Sequence, residues 1–341
     1  MVLLASSVSM LGDGIKFGAL PLLAASLTRD PRLVSLVDVA AQSGWVLLGL
    51  VSGVLVDRWR RTQVMWIVDA MRFVVTAAFA VVVLLDMHTV ALVVLAGLLL
   101  GLLAPFFDNA SSAVLPELVN GPALERANGY YNASALLASS LIGPPVGAAL
   151  FVVNAGLPLV IDALTFGLAA VLIAAVRHAV PAADRVERHG LRAELVEGLH
   201  YPWGQHVLRA LAFLLLVVNL VGSGAVAILV LYVLDLLELP EAAFGWLVAT
   251  YAVGGLAGAV IVPRISERVR VLVSVVAGGT LMGAGITVLG VWPALGPAVA
   301  GVVMAGFGSV WWNVTVSLRQ RIVPRALLGR VTSVYRMIGL G

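Results

Sequence analysis

From Thr89 to Phe107 the chain runs nineteen residues without a charge, and runs of this kind recur along most of its length. A helix rises about 1.5 Å per residue, so about 20 apolar residues cross the hydrocarbon layer of a bilayer. On that measure, spans are predicted near 2–27, 33–56, 64–85, 89–107, 127–152, 155–176, 207–235, 241–262, 271–291 and 296–318, and an eleventh begins near 327. No single water-soluble core accommodates so much apolar surface: 61% of the 341 residues are hydrophobic and 11% are charged, against about a quarter charged in ordinary soluble domains. The expectation is an all-α polytopic membrane protein of ten full spans and part of an eleventh. That count fits a twelve-helix protein cut short at its C-terminus. The abrupt apolar start is read as a retained first span, with a few preceding residues missing, since neither a basic n-region nor an Ala-x-Ala-like site accompanies it.

Charge placement gives the chain a direction. Sixteen arginines follow even-numbered spans, whereas only Arg29 and Arg32 follow odd-numbered ones. Positive residues stay on the cytoplasmic side, so the N-terminus is expected to be cytoplasmic in a multi-pass plasma (inner) membrane protein. The basic residues form no concentrated groove with interleaved aromatics, which argues against nucleic acid as a partner. With no cysteine, disulfides, thiolate metal sites and thiol redox chemistry are excluded. No metal ligand set and no cofactor motif is found.

Residues 178–206 mix Asp184, Arg185, Glu187, Arg188, Arg192, Glu194 and Glu197 with Leu191, Leu195 and Leu199 at helical spacing. Either an amphipathic helix on the cytoplasmic face or a solvated linker fits. On both sides of it the sequence repeats itself. Leu11-Gly-Asp-Gly corresponds to Val221-Gly-Ser-Gly at an offset of 210, and Leu124-Glu-Arg126 to Leu328-Gly-Arg330 at an offset of 204. Asn109 and Asn313 share that second offset. The repeat implies a six-helix bundle over 1–177, the linker, and a second, incomplete bundle over 207–341.

The second and third spans are joined by Gly53-Val-Leu-Val-Asp57-Arg58-Trp-Arg60-Arg61. This resembles the Gly-x-x-x-Asp-Arg-x-x-Arg loop signature of the major facilitator superfamily, with Gly53, Asp57, Arg58 and Arg61 at the fixed positions. The resemblance implies that Asp57 meets the positive N-terminal end of the eleventh helix, here around 327–331, as part of a cytoplasmic gate. A cluster that only fixes topology is the plainer alternative. The second copy, Gly258 to Arg268, lacks the acid before its first arginine. Asp69 and Arg72 share one face of the third helix and are expected near the same boundary as structural support for the gate.

Asp13 lies roughly 18 Å into the first span, near the midplane, with Lys16 one turn on. An ionisable residue at that depth marks an ion or substrate path; an internally neutralised pair that fixes packing is the alternative. Asp38 is expected near the outer end of the second span, and Asp162 at the outer start of the sixth as a packing or capping group. Asp108, beside Asn109 in the fourth span, is the secondary proton candidate.

In the fifth span, Ser139-Ser-Leu-Ile-Gly143-Pro144-Pro145-Val-Gly147-Ala148 resembles the family's antiporter signature, with Ser139 and Ala148 in place of two glycines. The resemblance implies a kinked, closely packed helix and export. Small-residue packing alone is the alternative. The arginine that many drug–proton antiporters carry in the fourth helix is absent from Ala91–Phe107. Pro116-Glu-Leu-Val, Arg126-Ala-Asn128-Gly and Ile161-Asp162-Ala163 are more similar to the macrolide- and siderophore-exporter branch. The expected function is export of a small amphipathic molecule, drug- or siderophore-like, by a monomer using alternating access and proton antiport. Asp13, Asn132, Asn219, Trp312 and Asn313 are the candidate cavity residues, among helices 1, 2, 4, 5, 7, 8, 10 and 11. An intramembrane enzyme is disfavoured, because Met10 replaces the first glycine of a Gly-x-Gly-Asp pattern and neither a Tyr-Asp partner nor His-Glu-x-x-His occurs. A scaffold or sensor lacks an appended soluble domain.

Overall fold

The computed structural model describes residues 1–118, 122–176, 203–266 and 271–323, together with 331, 335, 338 and 339. Every regular element among them is helical. The first group comprises α1 (Val2–Leu27), α2 (Pro31–Arg58), α3 (Arg61–Leu84), α4 (Val90–Leu118), α5 (Pro122–Ala135), α6 (Gly143–Val153) and α7 (Leu157–Val176). The second comprises α8 (His206–Leu231), α9 (Glu241–Ser266), α10 (Val271–Val291), α11 (Leu295–Ser309) and α12 (Trp311–Ile322). A π-helical stretch, Leu136–Ile142, joins α5 to α6, and another, Tyr232–Leu236, extends α8. The first of these leads directly into Pro144 and Pro145, which lack the amides that a regular α-helical ladder needs.

Eight described helices have the length and apolarity to cross a bilayer: α1, α3, α4, the α5–α6 rod, α7, α8, α9 and α10. In lipid a helix satisfies its own backbone, which is why such runs fold this way. Helix α2 also has the length at 28 residues, and its stretch 39–56 carries no charge. Two expected bounds move. The fourth span continues through the polar Asp108–Ser112 to Leu118, and the tenth is divided at Val310 into α11 and α12. The expected linker lies outside the described residues up to 202, as does the start of the eleventh helix apart from Val331.

Close backbone approach holds the helices together. Gly14 and Gly18 of α1 face the α5–α6 rod, and a Cβ on Gly147 would lie 2.0 Å from the Ile15 carbonyl oxygen. On α2, a Cβ on Gly44 would lie 1.8 Å from the Gly101 carbonyl oxygen of α4. Apolar side chains give no water-driven attraction between helices in lipid, so contact this close supplies the dispersion energy instead.

The apolar clusters are distributed unequally between the two ends. Where α1 ends and α2 begins, one cluster spans both groups: Leu22 and Leu23 of α1 and Phe79 of α3 join Val230 of α8, Phe244 of α9 and Val302 of α11. Arg29 also bridges to Asp235 across the groups at 3.1 Å. At the opposite end each group has its own cluster. One is built on Val2, Met65, Phe107 and Ile173, and the other on Leu208, Leu211, Trp311 and Tyr335. Among the described residues, the two groups share an apolar cluster at one end only.

Candidate functional site: a cavity between the helix groups and a buried charge cluster

A cavity of about 340 Å³ lies between the groups, within the range of small-molecule sites. Phe17 comes from α1, Asp38 and Gln42 from α2, Ser139 and Ser140 from the π-helical stretch, and Asn219 and Ser223 from α8. Tyr251 of α9, Met282 of α10 and Val302 of α11 complete the wall. Asn219 also donates from Nδ2 to the Ile338 carbonyl oxygen at 3.0 Å. Of the five expected cavity residues, Asn219 is in the wall; Asp13 is not, and Asn132 is exposed elsewhere on α5. The side chains of Trp312 and Asn313 lie outside the described set. Helix α10, the expected ninth span, lines the cavity, and among the described residues α4, the expected fourth span, does not, the reverse of the expected arrangement.

Asp38 lies two turns into α2, in the cavity wall, rather than at the outer boundary. Spacing from Asp57 alone misplaces it, because α2 is longer than a minimal span.

Beside the cavity, in the first group, α1, α3 and α7 bury five charges together. Lys16 Nζ lies 2.5 Å from Asp13 Oδ1 and 3.9 Å from Asp162 Oδ2. Arg72 Nη1 lies 3.8 Å from Asp13 Oδ2 and 3.7 Å from Asp69 Oδ1. Ser9 donates to Asp69 Oδ1 at 3.3 Å. The Arg72 guanidinium stacks over Phe107 and Phe166, 5.0 and 5.4 Å from the ring centres. Asp69 and Asp162 are completely buried, Arg72 nearly so, while Asp13 retains 37% of its side-chain exposure. Neither oxygen of Asp162 is hydrogen-bonded, and Asp69 Oδ2 is likewise unbonded. Three acids against two bases leave one negative charge in excess when all are ionised. One bound proton cancels it, and burial makes that balance matter.

Two expectations are corrected here. Asp69 and Arg72 do not sit at the loop boundary; they lie at the depth of Asp13, because α3 begins at Arg61 and carries them two to three turns inward. Asp162 is neither cap nor filler but a member of the charge cluster. Its neighbour Gly12 is what admits it, since a Cβ there would lie 2.5 Å from Asp162 Oδ1. Lys16 and Asp162 are 146 positions apart, and local spacing carries no signal for such a pair.

At the joint, a Cβ on Gly53 would lie 3.9 Å from Asn109 Nδ2, which donates to Ser52 at 2.9 Å. Arg61 donates to the Ala113 carbonyl oxygen at 3.0 Å, tying the start of α3 to α4. Arg58 is exposed, and the Asp57 side chain lies outside the described set. Asp108 accepts a Ser111 hydroxyl through its backbone carbonyl at 3.2 Å and is half-buried. In the antiporter-like motif, Gly143, Pro144, Pro145 and Gly147 are buried. They face α1 on one side and α9 on the other, where a Cβ on Gly245 would lie 2.4 Å from the Pro144 carbonyl oxygen. This rod is therefore a contact between the two groups.

Membrane-length helices around a cavity between two helix groups, with charges buried beside it, define a multi-pass membrane protein with an internal small-molecule cavity. Residues 2–340 match the sequence profile of the Major Facilitator Superfamily, and the chain belongs to that family. The multidrug efflux pump Tap of Mycolicibacterium fortuitum is 29% identical to it over 359 residues, covering 98% of this chain and 83% of that protein. Among solved structures, a bacterial homologue of the iron transporter ferroportin in its inward-facing state aligns with a TM-score of 0.73 at 19% identity, covering 99% of this chain and 89% of that one. The nucleoside transporter NupG aligns with a TM-score of 0.70 at 12% identity, covering 99% and 87%.

Proposed function

We propose that this protein exports small amphipathic, drug-like molecules by alternating access, driven by proton entry. The observation that carries the reading is the cavity between groups that share one apolar seal at the α1–α2 end and keep separate clusters at the other. A rocking motion that swaps the seal from one end to the other would expose the cavity to each side in turn. Arginine bias supports a cytoplasmic position for the end where the described residues form no shared cluster, and on this reading the conformation is open to the cytoplasm. In the opposite conformation, Asp57 docks on the helix start near 327–331. The efflux activity in the name of the Tap relative supports the direction of transport.

Proton coupling rests on the charge cluster. Asp13 is its one acid with substantial exposure, and it shares Lys16 with Asp162 and Arg72 with Asp69. A proton taken up on Asp13 releases Lys16 toward Asp162, changing the α1–α7 contact. Phe17, the next residue on α1, is in the cavity wall, so one helix links the cluster to the substrate.

The test is ethidium transport in proteoliposomes under an imposed pH gradient. Wild-type protein is expected to move ethidium only with the gradient, and Asp13→Asn is expected to abolish that dependence. Gradient-driven transport at the wild-type rate in Asp13→Asn would remove Asp13 from the mechanism, and ethidium movement indifferent to the gradient in the wild type would refute proton coupling.

A further inference from the structure

We infer that the cavity selects organic cations and that Asp38 is the residue that anchors them. The inference rests on the reading of this cavity as the substrate site, and adds to it the chemical class of the cargo.

Among the described residues, Asp38 makes no hydrogen bond and no ion pair, unlike the three acids of the neighbouring cluster, each held by Lys16 or Arg72. The described residues lining the cavity include no lysine, arginine or histidine, so Asp38 is the only formal charge among those described. A lone carboxylate facing a largely apolar space lacks compensation until a cation arrives. Phe17 and Tyr251 offer ring faces, which attract cations further. Met282 adds a polarisable, adaptable surface suited to varied shapes. Gln42, Ser139 and Ser140 are neutral and orient without adding charge.

A metal ion is a poor match for this wall. Hard divalent cations require about six or more oxygen ligands, whereas one carboxylate surrounded by rings, a thioether and aliphatic side chains suits a diffuse charge on a bulky organic body. A cavity of about 340 Å³ also holds a molecule rather than an ion.

A neutral isostere leaves Asp38 desolvated and unpaired, so the cavity discriminates between two ligands of the same shape. A charge-assisted contact corresponds to about a ten- to hundredfold preference. The experiment compares tetraphenylphosphonium, a cation, with neutral triphenylphosphine oxide, measuring equilibrium binding to the detergent-solubilised full chain by tryptophan quenching. Wild-type protein is expected to prefer tetraphenylphosphonium at least tenfold. Asp38→Asn should lose that preference while binding triphenylphosphine oxide as before, and Asp38→Glu should retain most of it. Should Asp38→Asn aggregate, the wild-type preference and its retention in Asp38→Glu decide.

Equal wild-type affinity for the two probes, no binding of either, or an unchanged preference in Asp38→Asn overturns the inference. Binding is read without a membrane gradient. A protein that shows the Asp38-dependent preference but no ethidium transport in proteoliposomes would sink the export reading and leave the anchor standing.

Discussion

At the scale of single residues, Lys16 has the most to hold together. It is the only lysine in the chain and lies between Asp13 and Asp162, with the Phe166 ring 5.3 Å away. Removing one member of a buried ion group leaves the others uncompensated. Lys16→Met is therefore expected to destabilise the solubilised protein by about 3 kcal/mol, read as a lowered Tm. Lys16→Met combined with Asp13→Asn should recover part of the loss; a double variant no more stable than the single one would show that the pair is not coupled. Asp162→Asn keeps the shape and removes the excess charge, so its Tm should stay near wild type while gradient-driven efflux falls at least tenfold. The sequence announces Asp13 and Lys16 through their depth in an apolar run. It does not announce their partners, because Asp69, Arg72 and Asp162 arrive from other helices and each also reads as an ordinary boundary or packing group. Asp38 is harder still: only the cavity wall, formed by both helix groups, distinguishes it from a carboxylate at a span end.

At the scale of elements, the α5–α6 rod is the piece whose sequence is most explicit. Gly143-Pro144-Pro145-Val-Gly147 states both small-residue contact and a break in the backbone ladder, and the rod has a π-helical stretch followed by glycines against α1. Gly147→Val would place its Cβ 2.0 Å from a backbone oxygen that cannot step aside. The expected result is α1 and α6 forced apart, a lower Tm and no transport. Gly129→Ala on the same rod is the control, since nothing lies within 4 Å of its new Cβ. Its better helix propensity should leave stability unchanged or raise it by about 0.5–1 kcal/mol. A Gly147→Val protein with wild-type Tm and transport would show that the seam yields more easily than its geometry implies. The helix bounds that the sequence places least well are the end of α4, where polar residues continue a helix past its apolar run, and the break between α11 and α12, where a turn at Val310 interrupts an apolar one. Hydropathy records where lipid is tolerated; it does not record where hydrogen bonds stop.

For the whole molecule, the one-ended seal makes a directional forecast. The chain has no cysteine, so single cysteines report access without background. In inside-out vesicles, Ser139→Cys and Ser223→Cys should react with a membrane-impermeant maleimide, whereas Leu23→Cys, buried in the shared cluster, should resist. Labelling of Ser139→Cys in right-side-out but not in inside-out vesicles would place the opening at the other end. Linking cysteines at positions 29 and 235 with a short bis-maleimide should hold the groups together where Arg29 meets Asp235 and stop transport, while substrate still binds from the open side. The buried carboxylates described, Asp69 and Asp162, both belong to α3 and α7 of the first group, whereas α8 to α11 give the cavity mostly apolar and neutral polar side chains. On the proposed mechanism the drive resides in the first group, whereas the cavity is shared: the first group supplies Asp38 and the second most of the apolar wall that shapes the cargo. Mutations accumulating in the second group are free to broaden or narrow the range of molecules carried without disturbing the source of drive, and a chimera that exchanges residues 207–323 for those of a relative should inherit new cargo together with the old ion dependence.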